Sequence, residues 1–149
     1  MISLTWNAIG KFRLGKEEPG VVAPWLLALE DLGAATTYLK LKAKGKWIPM
    51  AGLSACGPDG LTGQSFDDTR LLVADCPVGA LIGRIGGSSA SLKTLTPSVD
   101  AGEGKPFPIG CYALLKLPVN VVGPLFIGFN IVLRPMPLES LEVEIIGGS

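Results

Sequence analysis

The 149-residue chain contains no histidine, and that absence removes more chemistry than any other feature of its composition. Without an imidazole there is no Ser-His or Cys-His nucleophile, and the commonest ligand of zinc and copper is missing. Net charge is absent as well. Thirteen Lys+Arg balance thirteen Asp+Glu, so no large field draws the protein to nucleic acid, anionic lipid or an acidic substrate. Recognition must then rest on specific contacts. Cysteine is scarce and odd in number: Cys56, Cys76 and Cys111 lack metal-type spacing and read as isolated thiols. Long hydrophobic runs are missing too, although 48% of the residues are hydrophobic. The longest, Val119 to Leu133, is interrupted by Asn120, Gly123, Pro124, Gly128 and Asn130, which excludes a convincing membrane span. The surplus apolar surface is better placed in a subunit interface, so a homo-oligomer is expected. Met1 to Trp6 shows no basic region followed by an apolar core, so no signal peptide is read, leaving the cytoplasm or export by an unusual route.

What is present is a series of short runs punctuated by Gly, Pro and Asp. The length suits one domain, residues 1–149, able to bury about 70% of its unfolded surface. From Thr37 the period is two: Leu39, Leu41 and Ala43 face one way, and Lys40, Lys42, Lys44 and Lys46 the other. Near the other end Leu141, Val143 and Ile145 alternate with Ser140, Glu142 and Glu144. Matched periods and opposite signs place these two strands side by side, with Glu142 or Glu144 across from Lys40 or Lys42. The lysine row has a second reading as a grip for an anion or a sulfated sugar. Thr69 to Ala74, Gly79 to Ile85, Cys111 to Leu117 and Pro124 to Leu133 also read as strands. Ser3 to Leu14 reads as an opening strand or hairpin. Two readings stand for the next segment: a short helix over residues 23–33, with Pro24 first and Gly33 just beyond, or a strand over 21–29. Regular short strands separated by turns specify an all-β, antiparallel sandwich of jelly-roll type.

One ordered set of blocks is more specific. A strand ends near Trp47, and the turn Gly57-Pro58-Asp59-Gly60 follows. Next come Gly79-Ala80-Leu81-Ile82-Gly83-Arg84-Ile85-Gly86 and Pro106-Phe107-Pro108-Ile109-Gly110. Val122 to Asn130 and a last strand, Ser140 to Ile145, complete the set. In this order, over residues 36–149, the blocks resemble the galactose-binding-like domain of the bacterial PA-IL (LecA) type lectins. The resemblance implies a multimeric, non-enzymatic, carbohydrate-binding protein in which calcium bridges the protein to galactose hydroxyls.

The chain departs from that pattern at the calcium site. The lectins draw most ligands from a loop rich in Asn and Asp between the last two strands. The matching loop here is Phe129 to Glu139, in which Asn130 matches the start, while Arg134, Pro137 and Leu138 fall near ligand positions. The tyrosine whose main-chain oxygen helps bind the ion falls at Met50. An arginine beside a cation site repels calcium, so the expected cofactor is none, with calcium dependence lost or altered.

The candidate ligand-binding residues are Trp47, Gln64, Asp67, Asn130 and Arg134, with no catalytic residue and no metal ligand assigned. Trp47, at a strand end, would stack on a sugar ring if exposed, and is a core or rim aromatic otherwise. Gln64 and Asp67 stand in the polar loop Gln64 to Arg70, where the lectins place sugar-contacting side chains; they are also ordinary turn residues. Ile131 to Leu138 is apolar apart from one arginine, a composition that suits a protein contact or packing on its own domain. The leading functional reading is lectin-like carbohydrate binding. The alternative is a structural or oligomer-forming interaction module on the same fold, with Phe126, Phe129 or the 131–138 loop at the contact.

Overall fold

Two alternating strands organise the molecule. The computed structural model describes residues 2–7, 26–33, 35–50, 52–63, 71–73, 76–86, 106–117, 123–131 and 135–149. Within them the strands are β1 (Ile2–Asn7), β2 (Leu26–Leu29), β3 (Tyr38–Ile48), β4 (Leu81–Ile85), β5 (Phe107–Pro108), β6 (Tyr112–Lys116), β7 (Leu125–Phe129) and β8 (Met136–Gly148). They form two four-stranded sheets, ordered β1-β8-β3-β6 and β2-β7-β4-β5, with every pairing antiparallel. Eight antiparallel strands in two packed sheets make the all-β sandwich expected from the sequence.

In the first sheet, the leucine and lysine alternation of β3 sends Leu39 and Leu41 into the core and leaves Lys42, Lys44 and Lys46 in water. Along its whole length β3 pairs with β8, which puts Lys42 opposite Glu144 and Lys44 opposite Glu142. Lys44 Nζ lies 3.5 Å from Glu142 Oε1. The expected neighbouring of the basic and acidic faces is therefore found.

Leu39, Leu41, Leu141, Val143 and Ile145 face Leu81, Ile85, Leu125, Ile127 and Phe129 of the second sheet in one buried cluster. Each such side chain removed from water contributes about 1.5–3 kcal/mol. The second sheet is buried on its outer face as well, because Leu72 and Val73 pack on Ile82 and Phe126. Arg84 shares that face, its Cζ 4.8 Å from the centroid of the Phe126 ring. Burial pulls its pKa below the ordinary guanidinium value.

One open alternative is decided and three expectations change. No helix occurs among the described residues, and Leu26–Leu29 is a strand on the free edge of β7, where the backbone groups of a buried strand need a partner. Residues 71–73 form a bend, since both main-chain groups of Val73 are taken by the Asn130 side chain. Residues 136–139 are not loop: Met136 pairs with Ile48, Pro137 with Trp47 and Glu139 with Lys46, so β7 and β8 are joined by only residues 130–135. Finally Phe126, Phe129 and Ile131 are buried, so they offer no subunit contact; Tyr112, Leu114 and Leu138 are the exposed large hydrophobics among the described residues. No helix of the described residues is long and apolar enough to cross a membrane.

Candidate functional site

The end of the sandwich where β3 finishes and β7 gives way to β8 holds Trp47 and Asn130, two of the residues singled out in the sequence. Trp47 lies in the second-last position of β3 and is 0% exposed. Its ring meets Phe129 edge-on, centroids 4.8 Å apart at 69°. Its indole N–H donates to the Gly79 carbonyl at 2.8 Å. Its main chain bridges to Cys56 through Trp47 N to Cys56 O, 2.9 Å, and Cys56 N to Trp47 O, 2.8 Å. Of the two readings of Trp47, the structure carries the core one: with no accessible face, the indole is not a platform for a sugar ring.

Gly79 itself has φ 78°, a left-handed turn conformation, and a Cβ there would run into Pro49. A bare backbone at this position is what lets the turn pack against Pro49 and Cys56.

Asn130 directly follows β7 and is also 0% exposed. Its Oδ1 accepts from Val73 N at 2.7 Å, and its Nδ2 donates to the carbonyls of Val73, Cys76 and Pro77 at 2.9, 3.0 and 3.1 Å. Its own main chain continues the work, with Asn130 N donating to Ala80 O at 2.8 Å and Gly79 N to Asn130 O at 3.1 Å. The carboxamide is a latch between β7 and the segment 73–80. It is not a group facing a ligand.

Gln64, Asp67 and Arg134 lie outside the described residues. Their flanks are fixed. Leu61 N donates to Val78 O at 3.0 Å before residues 64–70, and Val73 is held by Asn130 after them. Ile131 and Pro135, either side of residues 132–134, are buried. The candidate contact residues therefore stand between anchored points.

Two positions that the resemblance matches to the lectins' calcium site are engaged within the chain itself. Asn130 spends its carboxamide on main chain, and Met50 O already accepts from Leu53 N at 3.0 Å. Among the described residues there is no group of three or more His, Cys, Asp or Glu able to hold a metal ion.

Sequence reading missed Asp59. The turn Gly57–Gly60 closes with Gly60 N to Gly57 O at 3.0 Å, and Asp59 Oδ1 accepts from Cys111 N at 3.0 Å. An Asp in a Gly-Pro-Asp-Gly turn is a recognisable acceptor for a neighbouring main chain, though its distant partner cannot be read from spacing. The Cys111 thiol also hydrogen-bonds Asp59, which, ahead of burial and charge, raises its pKa. Burial pushes the Cys56 thiol up to about 11. Neither thiol has the lowered pKa of a nucleophile.

No family model matches the chain, and no curated protein matches it. Among solved structures it is similar to one described as "EclA N-terminal domain; PllA-like lectin", at 13% identity and a TM-score of 0.53. The match covers 99% of this chain and 96% of that one. At such identity the likeness is one of fold, and the β-sandwich of a lectin domain is the fold the two share.

Proposed function

We propose that the protein is a non-enzymatic, lectin-like carbohydrate-binding protein whose binding does not run through the calcium site of its relatives in fold. The observation that carries this reading is the match of nearly the whole chain to a PllA-like lectin domain. Gln64, Asp67 and Arg134 are the proposed ligand contacts, on segments whose ends are tied down by Leu61, Val73, Ile131 and Pro135. Trp47 and Asn130 serve as buried braces within the sandwich. Anchored ends favour binding, because less ordering is needed when the ligand arrives.

Glycan-array binding with added calcium and with chelator tests the proposal. Binding that survives the chelator and falls at least tenfold in Gln64→Ala or Asp67→Ala is expected. No binding to any glycan, or binding abolished by chelator, overturns it. The alternative, an oligomer-forming module, draws on a separate observation, the exposure of Tyr112 and Leu114 on a sheet edge.

A further inference from the structure

Strand β6 closes one side of the first sheet, and among the described residues nothing pairs with its other edge. Its side chains alternate, with Ala113 and Leu115 turned toward the core and Tyr112, Leu114 and Lys116 outward. Tyr112 is 50% exposed and Leu114 65%. Sheet edges are ordinarily blunted by charge, and here the centre of the strand carries a leucine and a tyrosine instead.

The backbone of β6 is poised in the same direction. Ala43 N donates to Cys111 O at 2.9 Å and Leu117 N donates to Thr37 O at 2.8 Å, in the register that sets Leu41 opposite Ala113 and Leu39 opposite Leu115. Because hydrogen-bonded and open pairs alternate along an antiparallel ladder, the odd-numbered residues of β6 spend their N–H and C=O groups on β3. Those of Tyr112, Leu114 and Lys116 point away from the sheet.

We propose that two copies of the chain join edge to edge through β6, across a two-fold axis at Leu114, to make one continuous eight-stranded sheet. The occupant is a second copy because the strand is complementary to itself. Pairing its full length antiparallel sets Leu114 against the partner's Leu114 and Tyr112 against the partner's Lys116. The lysine stem and ammonium then lie along a tyrosine ring at each end. A slip by one residue would set outward backbone groups against inward ones, and a parallel pairing would bring the two lysines together. The opposite edge of the sheet, β1, offers only Ser3 and Thr5 as exposed residues with described side chains, both polar and neither an anchor. The interface is isologous, the kind that closes as a dimer. It does not depend on carbohydrate binding, so each reading stands or falls on its own measurement.

Sedimentation of the full chain at micromolar concentrations tests the interface. The wild-type chain is expected to run at twice its chain mass. Leu114→Lys places two ammonium groups on the axis and is expected to weaken the dimer at least tenfold, with an unchanged circular dichroism spectrum and melting temperature. Tyr112→Lys faces the partner's Lys116 and weakens it too; adding Lys116→Glu to that variant restores opposite charges in this register and recovers the dimer. A monomeric wild type, which would leave the edge to a strand of another protein, overturns the proposal. A dimer indifferent to Leu114→Lys overturns it, and so does a Tyr112→Lys defect that Lys116→Glu leaves unrepaired.

Discussion

Trp47 and Asn130 have side chains whose residue types point equally well to a ligand and to the protein's own backbone, and in both cases backbone groups take them. Asn130 has two N–H donors and an oxygen, and the segment 73–77 supplies three carbonyls and one N–H within 3.1 Å. Asn130→Asp would keep the shape but turn a carboxylate toward those carbonyls. A buried charge left without a cation costs about 3–5 kcal/mol, so the urea midpoint should fall by that equivalent. If calcium restored the lost stability, a cation site at Asn130 would have to be conceded. Cys56 supplies a second test. Its folded pKa, about 11, stands above the ordinary thiol value of 9.0, so folding favours the neutral thiol. That contribution is complete below pH 9 and is lost as the pH rises through 11; two units correspond to at most about 2–3 kcal/mol. The difference in stability between wild type and Cys56→Ala should therefore shrink between pH 9 and 11, measured by urea unfolding at each pH. A constant difference would show that burial does not shift this thiol.

At the level of elements, what was legible in the sequence is whatever has a period. Leu39 to Lys46 and Leu141 to Glu144 alternate strictly, and their pairing, their charge match and their inward faces are found as read. Elements without a period were not legible. Leu26–Leu29 is too short to separate strand from helix by pattern, and only the free edge of β7 decides it. Leu71, Leu72 and Val73 look like strand residues, yet a side chain 57 positions away takes Val73 out of any ladder. The apolar run beyond Ile131 reads as loop because it matches the lectins' loop between the last two strands, whereas β8 already begins at Met136. Two substitutions separate pattern from packing. Lys44→Ala removes an ion pair whose side chains are 76% and 38% exposed, and it should change stability by less than about 0.5 kcal/mol. Gly83→Ala adds one methyl on the inner face of β4, 2.8 Å from the Phe107 ring and 2.9 Å from Ile109 Cδ1. Overpacking of that kind costs about 1–3 kcal/mol. Chemical denaturation should rank the two in that order, and the reverse order would mean that the lysine and glutamate ladder, not the inter-sheet core, holds the sandwich.

For the whole molecule, the likeness to a lectin domain is one of fold, and the ligand chemistry is a separate question. The sandwich resembles a lectin domain along almost its entire length at 13% identity and a TM-score of 0.53. Residues 130–135 bear on calcium. The connection between the last two strands is short, begins with an asparagine turned inward and ends on a buried proline, so the carboxylates that a calcium ion needs are not supplied there. Calcium binding has a thermodynamic consequence that does not require a glycan. A ligand at 100 times its dissociation constant, bound only by the folded state, adds about 2.7 kcal/mol. For a chain of this length that would raise the melting temperature by roughly 5–10 °C. Thermal melts in chelator and in millimolar calcium are expected to coincide. A rise of that size would mean that oxygen ligands are gathered by some other part of the chain, and it would return the calcium-dependent mode of sugar binding to this molecule.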